Sequence, residues 1–304
     1  MSEFPAVCAV VPTRDRPELL ARAVTAILDQ DYPGTLEVAV VVDGTDVAAA
    51  TSSLPDDARI RFLTNTRTSG LSGTRNTGIL SASTPLVAFC DDDDEWLPGR
   101  LRRQVAALQD QPGAEFATCA IEVDYDGHRS VRRAGTDRID YETLLPRRMA
   151  MLHSSTFLAD RAALVSGIGL LDEQVPGSQN EDWDLLLRAA RRHPIVNVDD
   201  PLVRVYWSKR SYFDRDWDTK ASSSLWMLEQ HPDIARSSRG AARVYAQIAF
   251  AKAASGARRD SWRWAGRSLR KSWREPRAYI ALAVTAGLSA DYVQGVLHER
   301  GHGV

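Results

Sequence analysis

The chain has 304 residues, 44% of them hydrophobic and 26% charged, with a formal net charge of −2. This size and mix suit a soluble globular protein made of one large domain, or of one domain with an appendage. The near-neutral balance argues against nucleic-acid binding over the whole surface, so no nucleic-acid partner is expected.

The first half alternates strand-like and helix-like segments. "AVCAVV" (6–11) reads as a buried strand, followed by a helix with apolar residues from Leu19 to Leu28 at helical spacing, closed by Pro33 and Gly34. "LEVAVVVD" (36–43) and "IRFLT" (60–64) are the next strands, 74–82 reads as a helix, and "PLVAFC" (85–90) as a fourth strand. A further helix starts near Pro98 and runs through Leu108. This alternation predicts an α/β fold with a mostly parallel sheet and helices on both faces. The middle adds strands at 115–123, 154–158 and 202–207 and a helix at 181–192; from about 210 only helical patterns remain, at 219–230, 240–255, 260–273, 277–286 and 290–299. The expected division is therefore an α/β domain over 1–210 and a helical C-terminal region over 211–304.

The N-terminus lacks both a basic start and a long apolar core, so no signal peptide is read. The apolar stretch from Ala278 to Leu288 is shorter than the roughly 20 residues that span a bilayer. Cys8, Cys90 and Cys119 sit in apolar runs without metal-ligand spacing, which indicates buried, reduced thiols and a cytoplasmic location.

Polar clusters fall at the carboxyl ends of three strands, where open α/β sheets bind ligands. Pro12-Thr13-Arg14 follows the first, Asp43-Gly44 the second, and Asp91 to Asp94 the fourth. Each cluster alone also suits a simple turn. Four adjacent carboxylates repel one another by ~1 kcal/mol per pair in water, and by more in a cleft, unless a cation is held among them. Alternate side chains of an extended segment face the same way, so Asp91 and Asp93 can face one hard cation such as Mg²⁺ or Mn²⁺ together, and Asp92 and Asp94 offer the same spacing. "SGLSGTRNTG" (69–78) has the glycines and the following helix of an anion site but not the spacing of a P-loop or a dinucleotide motif. "NEDWDLLLR" (180–188) opens a helix with carboxylates, which serves either as a cap or as a source of a general base.

Together, "AVVPTRDRPELLARAVTAILDQDYP", "VVVDGTD", "SGLSGTRNTGI", "PLVAFCDDDDEWLPGRL" and "NEDWDLLLRAAR" resemble the family 2 inverting glycosyltransferases of the GT-A fold, in family order over residues 5 to 207. The resemblance implies a metal-dependent transferase that moves a sugar from a nucleotide diphosphate sugar, typically UDP-linked, to an acceptor hydroxyl. It implies nucleotide contacts at Pro12, Thr13, Arg14, Asp43, Arg75, Asp91 and Asp92. It also implies a divalent cation (Mn²⁺ or Mg²⁺) on Asp93 with Asp91, and a catalytic pair Glu181 and Asp182 with Asp182 as base. Asp94 and Glu95 are left as solvated neighbours. "VVDGTD" carries one aspartate before the glycine where the family commonly has two. Nucleotidyl transfer, and a non-catalytic module for sugar nucleotides or glycans, are the competing readings.

A glycan, a lipid-linked sugar or a small molecule would be the acceptor. His153, Trp183, Tyr206 and Trp207 are candidates to line its pocket, although each aromatic equally suits packing. His153 has no other ligand type at metal-site spacing and is not assigned as a metal ligand.

Between Arg236 and Arg277 stand twelve Arg/Lys and two Asp/Glu, a net of +10 that leaves −12 for the rest of the chain. Trp262, Ala265, Leu269 and Trp273 repeat on one helical face here, with basic residues around the remainder. That pattern fits either an apolar face packed on the protein or peripheral contact with the inner face of the membrane.

Overall fold

The computed structural model describes residues 4–44, 46–207 and 216–299. Among these residues ten strands form one sheet: β1 (Val7–Thr13), β2 (Leu36–Val42), β3 (Ile60–Thr64), β4 (Leu86–Phe89), β5 (Glu95–Trp96), β6 (Phe116–Tyr125), β7 (His128–Arg132), β8 (Arg138–Ile139), β9 (Leu158–Asp160) and β10 (Ile195–Trp207). Helices α1 (Pro17–Leu28), α2 (Val47–Ala50), α3 (Leu71–Ser81), α4 (Arg100–Gln109), α5 (Tyr141–Leu144) and α6 (Glu181–Arg192) are interspersed with them. Helices α7 (Trp217–Gln230), α8 (Pro232–Arg236), α9 (Ser238–Ala254), α10 (Arg258–Lys271), α11 (Pro276–Thr285) and α12 (Ala290–Glu299) come last.

The sheet runs β3-β2-β1-β4-β9-β6-β10-β5. β1 pairs in parallel with β2 and β4, β2 with β3, and β6 with β10, while the short β9 lies antiparallel to β4 and β6. All seven residues of β1 are buried, as a central strand covered on both faces requires. Val7, Ala9 and Val11 pack with Leu20, Ala23, Val24 and Ile27 of α1 and with Leu101, Val105 and Leu108 of α4. The other face of β1 meets α3 so closely that a Cβ on Gly78 would fall 2.4 Å from Val10 Cγ1.

Three boundaries depart from the sequence reading. α3 begins at Leu71, not 74, because Gly73 and Gly78 are packing positions inside the helix; a Cβ at Gly73 would fall 1.9 Å from the Thr68 carbonyl oxygen. The strand expected at 154–158 is a 3₁₀ turn over Ser154–Thr156, with extended pairing only from Leu158. β10 extends back to Ile195, and its register shifts on either side of Pro201, which has no N–H for the ladder.

The chain forms two compact units. One comprises Met1–Tyr141, Met149–Glu173 and Glu181–Lys209; the other comprises Glu142–Arg148, Gln174–Asn180 and Arg210–Val304. The sequence boundary between 210 and 211 lies outside the described residues. Ala249, Phe250, Ala253, Ala265, Ala281, Val284 and Val293 form the core of the helical unit. In α10 the buried stripe is Ser261, Ala265 and Ser268, and Ser268 donates to the Ala242 carbonyl of α9 across 2.7 Å. The expected packed face of Trp262, Ala265, Leu269 and Trp273 is therefore corrected: Trp262 is 58% and Trp273 67% exposed. Small side chains let α10 approach α9, and the α10 indole that packs toward α9 is Trp264, its ring 5.3 Å from that of Tyr245. Among the described residues no helix is long and apolar enough to cross a membrane.

Candidate active site

The strand order reverses around β1, so the carboxyl ends of β2, β1 and β4 lie side by side. They deliver Asp43, Thr13 and Asp91 to one edge of the sheet. The four aspartates after β4 face four different environments.

Asp91 accepts from Arg75 Nη2 at 2.5 Å and from the Ser154 hydroxyl at 2.9 Å. Burial works to raise its carboxyl, but Arg75 and His153 outweigh burial and hold it below the ordinary range. Asp92 accepts from the Thr13 hydroxyl at 2.7 Å and from Arg16 at 3.3 Å; burial and the Asp93 charge push it up to about 6. Asp93 accepts from Arg16 at 3.0 Å, and its backbone carbonyl accepts from Arg22 at 2.8 Å. Crowding by its neighbours, desolvation first and then the Asp91 charge, raises it as well, although 41% of its side chain faces solvent.

The sequence reading of Asp94 and Glu95 as solvated is corrected here. Asp94 is 1% exposed, bound by the Ser155 hydroxyl, and raised well above the carboxylate range by burial and by Asp93 and Asp91. Glu95 pairs with Arg204 and Arg22. Side chains from far along the chain, Arg22 on α1, Arg204 on β10 and Ser155 in the 3₁₀ turn, supply these contacts, so the local acidic run carried no sign of them.

Arg75 is 1% exposed and forks between two carboxylates, Asp91 and Glu181, the latter at 2.8 Å from Nη1. Burial opposes its charge, yet the two carboxylates more than compensate and keep it firmly protonated. Glu181 opens α6, so this fork fixes the start of that helix next to the end of β4. Asp182 follows, 3% exposed, with Oδ1 accepting the Trp183 N–H at 2.7 Å. Asp184 is bound by Arg188 one turn on.

Asp43 accepts from Asn65 (2.7 Å), Ser69 (2.9 Å) and the Gly70 N–H (2.9 Å). Gly70 is the N-cap of α3, so the anion beside this glycine-rich helix start is the carboxylate of Asp43 itself. Arg14, more than half exposed, lies 3.9 Å from Asp43. Glu173 joins the same edge: it accepts from Asn76 at 2.7 Å and from Arg67 and the Thr68 N–H. Desolvation works against its charge, but these hydrogen bonds prevail and hold it down at about 2. Arg16, Arg22, Ser154, Ser155 and Glu173 were not singled out from sequence. For the two arginines the signal was the pattern "RDRPELLARA", which sets cations three and nine residues after Thr13.

An oxygen from each of Asp91 and Asp94 and a nitrogen of His153 lie within 4.8 Å of one another. Two carboxylates and an imidazole fit Mn²⁺ well, and the hard oxygens also suit Mg²⁺. His153, set aside as a ligand because of its spacing, thus joins the aspartates through the fold, its Nδ1 3.3 Å from Asp94. Asp93, expected to bind the ion, is ion-paired with Arg16 and stands outside this trio.

Of the candidate acceptor residues, Trp183 is 4% exposed and part of the interior. Arg132 stacks 4.3 Å above the half-buried ring of Trp207, and Arg22 covers Tyr206 at 4.0 Å. A cavity of about 410 Å³ lined by Thr35, Glu37, Arg59 and Arg61 lies at the start of β2 and β3, the opposite edge from the aspartates, and holds none of this chemistry.

The fold and this edge define a mostly parallel α/β layer with a carboxylate-rich centre at the carboxyl ends of its strands. Residues 8–164 match the family described as Glycosyl transferase family 2, and the chain belongs to that family. It is 35% identical over 123 residues to the GalNAc(5)-diNAcBac-PP-undecaprenol beta-1,3-glucosyltransferase of Campylobacter jejuni, covering 39% of this chain and 40% of that protein. It is 28% identical over 102 residues to the UDP-Glc:alpha-D-GlcNAc-diphosphoundecaprenol beta-1,3-glucosyltransferase WfgD of Escherichia coli, covering 34% and 40%. The match thus spans less than half the length of either relative. The crystal structure of S. aureus TarS 1-349 in complex with UDP shares the fold, with a TM-score of 0.59 at 16% identity over 92% of this chain and 87% of that one.

Proposed function

We propose that this protein transfers a sugar from a nucleoside diphosphate sugar, a uridine one by analogy with its relatives, to a hydroxyl of a lipid-linked acceptor, with inversion at the anomeric carbon. The catalytic portion is the sheet-bearing region within residues 1–210. The observation that carries the reading is the Arg75 fork, which ties the end of β4 at Asp91 to the start of α6 at Glu181 and so sets Asp182 beside the aspartate run.

Thr13, Arg14 and Asp43 ring the nucleotide end of the crevice. Asp91, Asp94 and His153 would hold a divalent cation, which when bound would neutralise charge on the departing diphosphate. Asp182 accepts the proton of the acceptor hydroxyl as its oxygen bonds to the anomeric carbon. The bond from that carbon to the diphosphate breaks on the opposite face, and the nucleoside diphosphate leaves. One displacement with one base inverts the centre, and no enzyme-linked sugar is required. The undecaprenol-linked acceptors in the names of two relatives support the choice of a lipid-linked acceptor.

The test is release of nucleoside diphosphate from a panel of nucleotide sugars with Mn²⁺. Release from one donor that stops with EDTA and in Asp91→Asn supports the reading. Pyrophosphate release would favour nucleotidyl transfer, and silence across the panel a binding module.

A further inference from the structure

The helical unit carries a surface to which the transfer reading assigns no role. Helix α10 buries only its Ser261–Ala265–Ser268 stripe. On the opposite side Arg259, Arg263 and Arg270 recur at helical spacing, all exposed, with Trp262 on the flank at 58% exposure. The turn that follows presents Trp273 at 67% exposure with the Arg274 guanidinium 4.8 Å above its ring. Tyr279 donates to the Trp273 carbonyl at 2.7 Å and so braces that turn. Two large indoles left in water among cations are unusual for a helix whose opposite side is packed, and such patches mark interaction sites.

We propose that this face of α10 and the turn after it dock on a bilayer containing anionic lipid. The cations complement acidic headgroups, each contributing about fivefold in affinity near such a surface. Indole rings partition to the boundary between headgroups and acyl chains. The indole pair also favours a bilayer over a nucleic acid. Phosphate contact needs only the arginines, whereas two exposed indoles beside them suit the boundary between headgroups and acyl chains. The orientation lays α10 in the plane of the interface. This surface belongs to the helical unit and the aspartate edge to the sheet-bearing one, so the inference holds or falls separately from the transfer reaction.

The experiment is co-sedimentation of the full chain with vesicles of phosphatidylcholine alone and with about a third phosphatidylglycerol. Indole quenching by brominated acyl chains is read in parallel. Expected is recovery with the anionic vesicles only, with quenching. Trp262→Ser/Trp273→Ser should cut recovery at least about tenfold, and Arg259→Glu/Arg263→Glu/Arg270→Glu at least as much. All five positions are exposed, and unchanged urea midpoints would show that both variants fold. Equal recovery on neutral and anionic vesicles, or variants that bind like the parent, would overturn the proposal. Salt-sensitive binding to single-stranded RNA without vesicle recovery would likewise overturn it, in favour of a polyanion partner. Donor hydrolysis in solution should keep the parent rate in both variants. Its absence with vesicle binding intact would count against the transferase reading alone.

Discussion

Arg75 donates to Glu181 across 2.8 Å, joining residues 106 positions apart in the chain, and both side chains are buried. The other arm of the same guanidinium holds Asp91. Removing the cation strands two carboxylates out of water. Arg75→Met should therefore lower stability by about 3–5 kcal/mol in urea unfolding. Arg75→Lys keeps the charge but cannot fork, and should lose about 1.5–3 kcal/mol, the value of one charged hydrogen bond. A lysine variant as stable as the parent would show that the fork is not what joins the two elements.

The α3–β1 contact gives a cleaner packing test. Gly78→Ala places a methyl 2.4 Å from Val10 Cγ1 and should cost about 1–3 kcal/mol. Val10→Ala vacates that space, so the double variant should recover part of the loss. Additive penalties would mean that the glycine is required for another reason.

Glu173 supplies a pH dependence. Its carboxyl is held at about 2 in the folded chain, below the ordinary glutamate value, because Asn76, Arg67 and Thr68 bind the charged form. A depressed acid stabilises the fold fully above its unfolded pKa, and that contribution fades as pH falls toward the folded value. The stability gap between the parent and Glu173→Gln should therefore be constant near neutrality and shrink steadily from about pH 5 toward pH 2. A gap that does not change over that range would contradict the hydrogen-bond network.

The three cysteines should be inert in the native protein. Burial pushes Cys8 and Cys119 up to about 11 and Cys90 well above the normal thiol value, and all three are 0% exposed. A thiol reagent at neutral pH should label none before unfolding and all three after it. Native labelling of Cys90 would mean that the end of β4 opens to solvent.

The architecture was legible wherever one local pattern decided it. β1, β2 and β4 are apolar runs ending in polar residues, and the register of their ends follows from parallel pairing alone. What escaped was long-range. Asp94 looked like a surplus charge because Ser155 and His153, its partners, lie about sixty residues away. Gly73 fell outside the helix read at 74–82 because nothing in the sequence announces that the Thr68 carbonyl lies against it. Trp262 and Trp273 fitted an apolar stripe by spacing, but the fully buried positions of α10 are Ser261, Ala265 and Ser268. Helical periodicity identifies a face without saying how close the neighbouring helix comes.

The central claim is that Asp182 is the base of a sugar transfer at the edge organised by Arg75. The most direct measurement compares the parent and Asp182→Asn for nucleotide-sugar binding by calorimetry and for transfer to a soluble acceptor analogue. Expected is unchanged donor affinity with transfer reduced about 10²–10⁴-fold, the share a general base supplies. Transfer at the parent rate in Asp182→Asn, or loss of donor binding in step with activity, would contradict that role.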